Sequence, residues 1–404
     1  MHHARCHPFR ACLIPTIAPR PPIPARAFTV LALESSADDT CAAVVTSERR
    51  ILSNVVRNQA SLLETHGGIH PLYAIHAHQH QMPGVIQQAL SEARLTIHDV
   101  DGIAFTRGPG MVGCLSVCAT SARALAAVMN KPLVGVHHMQ AHALTPFLTA
   151  PDGEAPEFPF LTLLVSGGHT MLLLATSPTQ FRILVNTTDI AIGNAFDKAA
   201  RALQIPLDGA APGAALERFC AQPDTPGEVL PKVEMPRPTW GLMRFSYAGF
   251  ASAIARVLEE YGGIDGMSHT VRRAVARSFQ RATVAHLEEK ISRALALCSE
   301  IGVTPRCMVV SGGVASNSFL RARMRVCLDA ASPGEALPMY FPPPSLCTDN
   351  AAMIGWASMS RFLAGDTDPY SIGHKKDWSL EDLGRETGGS GLELSSDSAT
   401  SPAQ

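Results

Sequence analysis

Val136-His137-His138-Met139-Gln140-Ala141-His142 carries the residues best spaced to do chemistry. It follows the apolar run over 132–135, which predicts a strand leading into a helix. His138 and His142 are four apart and share one helix face, within reach of a common ion, whereas His137 points about 100° away. That gives two candidate metal ligands. The same spacing also suits a half-buried, hydrogen-bonded pair with no metal. No glutamate follows the first histidine, so the general base of an H-E-x-x-H zinc protease is missing. A catalytic metal normally takes a third protein ligand from elsewhere in the chain, and Asp349 in Leu346-Cys347-Thr348-Asp349-Asn350-Ala351-Ala352 is the candidate. An aspartate there could equally cap the helix it precedes. Two histidines and one carboxylate leave coordination positions open and suit zinc or ferrous iron, one divalent ion per subunit.

A second set of residues could meet phosphate. An apolar run ending in Leu164-Val165-Ser166-Gly167-Gly168 breaks into a small-residue turn, and Met308-Val309-Val310-Ser311-Gly312-Gly313 repeats the pattern downstream. Two such turns predict a cleft whose opposing walls admit a nucleotide by close backbone approach. Asp197, opening a helix at 193–200, could bind a ribose hydroxyl or merely favour the helix dipole, and Asn317 could present its amide to a base or ribose. Neither G-x-G-x-x-G nor a P-loop occurs, which argues against those folds.

These residues need elements to position them. Strands are expected over 28–33, 41–46 and 51–56, then a helix over 83–95, a strand over 102–105 and a helix over 112–129 entered through Thr106-Arg107-Gly108-Pro109-Gly110. The proline-bearing stretch 151–159 reads as a connection between halves. His66, His70, His76, His78 and His80 are spaced irregularly, as solvated or capping residues would be. Helices are expected over 268–298, with Arg273, Arg277 and Arg281 as a basic stripe, over 317–328, and over 349–362. The metal reading requires that this last helix return to the first half.

The 404 residues, 46% hydrophobic, can bury a large core in two globular halves. With 33 Lys and Arg against 35 acidic residues, a nucleic-acid partner must be gripped by a local patch. No apolar run approaches the ~18 residues of a membrane span, so no membrane partner is expected. Ten cysteines without a C-x-x-C pair read as buried thiols. Residues 1–27 contain Arg5, Arg10, Arg20 and Arg26 with no acidic residue, the composition of an organelle transit peptide, and mitochondrial import is the reading. The Gly- and Ser-rich stretch 387–404 reads as a disordered tail.

Seven motifs now stand in order: Glu34-Ser35-Ser36-Ala37-Asp38-Asp39-Thr40, Thr106 to Gly110, His138-x-x-x-His142, Val165 to Thr170, Phe196-Asp197-Lys198, Gly312-Gly313-Val314-Ala315-x-Asn317 and Cys347 to Ala351. Together they resemble the TsaD-like family of tRNA threonylcarbamoyltransferases over about 28–376, and the leader resembles that of the mitochondrial branch. The resemblance implies an actin-like, sugar-kinase-like (ASKHA) α/β fold. Its N-terminal lobe would span 28–150, a nucleotide-binding lobe 158–346 and a closing segment 347–376, each lobe built on an RNase H-like mixed sheet. It also implies transfer of the threonylcarbamoyl group of threonylcarbamoyl-AMP, made by a separate synthase, to the exocyclic amine of the adenosine 3′ of the anticodon in ANN-reading tRNAs, with release of AMP. By position, His138, His142 and Asp349 would hold the metal. Leu164 to Gly168, Asp197, Ser311 to Gly313 and Asn317 would hold the adenylate. A homodimer in the mitochondrial matrix is implied as well. Ala37 replaces the usual cysteine, and Leu72 and His76 replace a usual glutamate and arginine. The usual Gly-Gly pair is broken in Asp208-Gly209-Ala210-Ala211-Pro212-Gly213, leaving Gly209 or Gly213 to take its role. The competing readings are a metalloprotease and an ATP-hydrolysing kinase or chaperone using Asp38 or Asp39.

Overall fold

The computed structural model describes residues 26–59, 70–224, 231–331 and 337–386; residues 1–25 of the expected leader with Arg5, Arg10 and Arg20, His66 and the expected tail lie outside them. β1 (Thr29–Glu34) and β2 (Asp39–Thr46) are buried along their whole length, as their unbroken apolar runs require, and β3 (Ile51–Asn58) is a half-exposed edge. α1 (Pro71–Glu92) then leads to β4 (Gly102–Gly108), α2 (Val112–Val128) and β5 (Leu133–His137). The strand order is β3-β2-β1-β4-β5, with β1–β2 and β2–β3 antiparallel and β1–β4 and β4–β5 parallel.

Proline misled the expectation for α1, which begins at Pro71 rather than at residue 83. Ala74, His78, Met82, Val85 and Ala89 bury one continuous stripe, while Pro83 lies exposed on the opposite side. There the lost backbone hydrogen bond is the one the packed face can best do without.

α3 (His138–Thr149) closes the first sheet and leads to the second half: β6 (Phe160–Val165), β7 (Thr170–Ala175), β8 (Phe181–Asn186), α4 (Ile192–Ala202), α5 (Pro212–Ala221), α6 (Ala248–Glu260), α7 (His269–Glu300), β9 (Met308–Ser311), α8 (Ser318–Ala331) and β10 (Met339–Tyr340). The order here is β10-β9-β6-β7-β8, antiparallel at β6–β7 and β7–β8 and parallel at β6–β9 and β9–β10. Each lobe is therefore an RNase H-like sheet of three antiparallel strands continued by two parallel ones, and two such lobes make the actin-like architecture.

α9 (Pro344–Cys347) and α10 (Ala351–Leu363) follow, with a short α11 (Leu383–Glu386) after them. α10 packs on β1, β2 and α3, so the chain does return to the first lobe. Gly355 permits it: a Cβ there would lie 3.2–3.3 Å from Val45 and Ala32. Beneath α3, Met139 and Ala143 share an apolar cluster with Phe160, Leu164 and Leu173, an interlobe seam one residue round from the face carrying His138 and His142. Among the described residues no helix is long and apolar enough to cross a membrane.

Candidate metal centre

The turn from β5 into α3 sorts the three histidines. His137 caps the helix: its Nδ1 accepts from the Met139 N–H at 3.2 Å, and its Nε2 donates to the Trp378 carbonyl at 3.0 Å. Burial pulls it down to about 3, so it stays neutral. His138 and His142 turn instead toward Asp349. Their Nε2 atoms lie 3.5 and 3.1 Å from its Oδ1, and the three ligand atoms all lie within 4.8 Å of one another. Donors bound tetrahedrally about 2.1 Å from one ion stand about 3.4 Å apart, so the arrangement fits a metal with little movement. The set could hold one metal ion.

Asp349 is not the helix cap. Asn350 is: its Oδ1 accepts from the Met353 N–H at 3.0 Å and its Nδ2 donates to the Thr348 carbonyl at 2.8 Å, which leaves the Asp349 carboxylate free to face the histidines. Burial alone would raise Asp349, but His138 and His142 hold it well below the usual carboxylate range. Burial likewise opposes charge on His138, and Asp349 and Glu34 overcome it, raising the ring to about 9. His142 is pulled down, chiefly by burial, and its Nδ1 is buried with no hydrogen-bond partner.

Glu34, which in the sequence only opens the first of the seven motifs, faces this site. It is fully buried at the end of β1, with Oε2 3.5 Å from His138 Nδ1. The available signal was a carboxylate closing the otherwise apolar strand Thr-Val-Leu-Ala-Leu-Glu. His78, expected to be solvated or capping, is buried instead. Its Nδ1 lies 2.7 Å from Thr40 Oγ1 and its Nε2 donates to the Ala37 carbonyl at 3.0 Å, bracing the turn between β1 and β2. Asp39, the first residue of β2, accepts from Asn58 Nδ2 at 2.8 Å, and burial, with Asp38 and Asp349 nearby, pushes it up to about 7.

The two Ser-Gly-Gly turns do not face each other across a cleft. Leu164 pairs with Ser311 in the parallel register of β6 and β9, so both turns leave the C-terminal ends of these neighbouring strands, side by side. Two adjacent parallel strands ending together place their turns on one wall. Gly312 has φ +100°, and a Cβ there would lie 2.3 Å from the Val165 carbonyl oxygen. Gly167 and Gly168 are exposed with open space around them, and Gly193 tucks the start of α4 against Ser166. This wall meets the His138, His142 and Asp349 group. The His169 and His138 rings are 6.2 Å apart, and Gly313 lies against Thr348, next to Asp349.

Asp197 Oδ1 accepts from the Gly213 N–H at 3.0 Å, anchoring the start of α5, while Gly209 sits at φ +75° in the preceding turn. Asn317 caps α8 by accepting from the Leu320 N–H at 2.9 Å. Of the basic stripe, Arg273 is buried against the Pro223 carbonyl and Arg277 holds the Cys220 and Gln222 carbonyls and Asp224. Those two arginines brace a loop rather than offering a phosphate-binding face.

Fold and site together define a two-lobed protein of the actin-like class with a His-His-Asp centre where the lobes meet. The family described as "TsaD: tRNA N6-adenosine threonylcarbamoyltransferase" matches residues 50–356, and the chain belongs to that family. A tRNA N6-adenosine threonylcarbamoyltransferase of Sphingopyxis alaskensis is 40% identical over 365 residues, which cover 90% of this chain and 98% of that protein. A probable mitochondrial tRNA N6-adenosine threonylcarbamoyltransferase of Arabidopsis thaliana is 39% identical over 85% of this chain and 71% of its own length. The enzyme of Roseobacter denitrificans with the same name is 38% identical, covering 88% of this chain and 95% of that protein. The activity is therefore threonylcarbamoyl transfer to tRNA adenosine, and the protease and kinase readings are not favoured.

Proposed function

We propose that this chain takes threonylcarbamoyl-AMP from a separate synthase and transfers its threonylcarbamoyl group to the N6 amine of the adenosine 3′ of the anticodon in ANN-reading tRNAs, releasing AMP. One observation carries the assignment of the site: His138 and His142 of the first lobe and Asp349 converge beside the paired Ser-Gly-Gly turns of the second. His138, His142 and Asp349 hold the ion, zinc or ferrous iron, one per subunit. A bound ion of this kind supplies Lewis acidity toward the carbamoyl carbonyl. The chain's own groups do the rest. Leu164 to Gly168 and Ser311 to Gly313 offer turn dipoles to the phosphate, whose negative charge they stabilise as AMP departs. Asp197, through the oxygen not engaged by Gly213, and Asn317, through its Nδ2, orient the adenosine, with Gly209 and Gly213 shaping that end of the pocket. The acid-free, arginine-bearing leader and the mitochondrial relative support the mitochondrial matrix, where the chain acts as a homodimer.

The test is incorporation of labelled threonine into mitochondrial-type tRNA, with a synthase, bicarbonate and ATP supplied. His142→Ala and Asp349→Ala enzymes should lose at least ~100-fold in rate, as loss of a metal ligand or a principal electrostatic group does. Full activity in both would overturn the assignment of the site.

A further inference from the structure

Glu34 is a carboxylate with no solvent exposure at the end of a strand buried throughout. Burying an ionised carboxylate is costly unless it is paired and its lone pairs are satisfied, so its partners indicate what it is for. Oε1 accepts from the Ser36 N–H at 2.7 Å, and Oε2 accepts from the Thr106 hydroxyl. The same Oε2 faces His138 Nδ1 at 3.5 Å, and Ser36 Oγ lies 3.3 Å from that nitrogen. The turn presenting these groups is itself fixed: Ser36 O accepts from the Met111 N–H, and Ser35 Oγ links the Cys114 carbonyl to the Cys118 N–H.

We propose that Glu34, assisted by Ser36, is the positioning residue of the metal centre: it accepts from the Nδ1–H of His138 and so aims the Nε2 lone pair of that ring at the ion shared with His142 and Asp349. This rests on the reading of those three residues as metal ligands. Metal-bound histidines are regularly held by a carboxylate on their other nitrogen, which fixes tautomer and ring angle and makes the ring a better donor. With an ion bound, both imidazoles would be neutral, and the carboxylates of Asp349 and Glu34 would then balance one divalent charge. The two histidines differ in this respect: His142 Nδ1 is buried with no hydrogen-bond partner, so no polar group fixes that ring from the side away from Asp349. If Glu34 were only a staple between the ends of β1 and β4, through Ser36 and Thr106, its loss would weaken the fold and leave metal binding untouched.

Cobalt(II) loaded into the full chain separates these. Chelator competition gives the affinity, and the visible d–d absorption reports ligand geometry, which a purely structural role would not alter. Glu34→Gln is expected to weaken cobalt binding about 10–100-fold and to change the spectrum. A folded Glu34→Gln protein that binds cobalt within twofold of the parent, with the same spectrum, overturns the assignment. Should Glu34→Gln fail to fold, Ser36→Ala carries the test, with an expected loss of about tenfold and an unchanged affinity as the overturning result. His142→Ala and Asp349→Ala, measured alongside, distinguish the two failures. If they lose cobalt while the Glu34 and Ser36 variants keep it, only the positioning role falls; if they too keep it, the metal reading falls first.

Discussion

Single residues set this site by what their backbone or side chain leaves no room for. Gly312 has a left-handed φ of +100°, and any Cβ would sit 2.3 Å from the Val165 carbonyl oxygen, so glycine is required before any ligand is considered. Gly312→Ala is expected to cost about 2–4 kcal/mol, from backbone strain and forced displacement of a neighbouring strand, read as a lower midpoint in urea unfolding. Gly167 is the contrast, with nothing within 4 Å of where its Cβ would be. Gly167→Ala should unfold within about 0.5 kcal/mol of the parent yet raise the KM for the adenylate, because only a bound ligand would meet the methyl group.

At the scale of elements, the junction before α10 does two jobs with two neighbouring residues. Asn350 satisfies the first turn of the helix and ties back to Thr348, and Asp349 is thereby presented to the histidines. Asn350→Ala should cost about 0.5–2 kcal/mol for the lost cap, measured by urea unfolding. It should also weaken metal binding, measured by chelator competition, since Asp349 loses its fixed approach. Asn350→Asp, which keeps the cap acceptor, should recover most of the stability. Unchanged metal binding in Asn350→Ala would mean that Asp349 is held by other contacts. α1 shows the opposite weighting of local and distant forces: a proline in mid-helix reads as a boundary, but the buried stripe from Ala74 to Ala89 determines where the helix lies.

For the molecule as a whole, the site is a junction. The candidate ligands come from α3 and from the segment just before α10, and the chain between them supplies all five strands of the second sheet. A ligand that binds only this assembled state stabilises it by mass action, about 2.7 kcal/mol at a hundredfold excess over Kd. Chelator treatment should therefore lower the thermal midpoint and zinc should restore it, whereas the Asp349→Ala protein should show the same midpoint with and without chelator. By itself the sequence determined the strands β1, β2, β6 and β9, whose apolar runs end in polar or glycine turns, and it paired His138 with His142. Both are local periodicities that hold whatever the rest of the chain does. Tertiary structure alone decided that the Asp349 carboxylate meets His138 and His142 while Asn350 is the cap, that both Ser-Gly-Gly turns stand on one wall, and that Glu34 faces His138. Each of these depends on which strand lies beside which and on where a distant helix packs. Such contacts are fixed by burial across the two sheets, and neighbouring residues in the chain leave no mark of them.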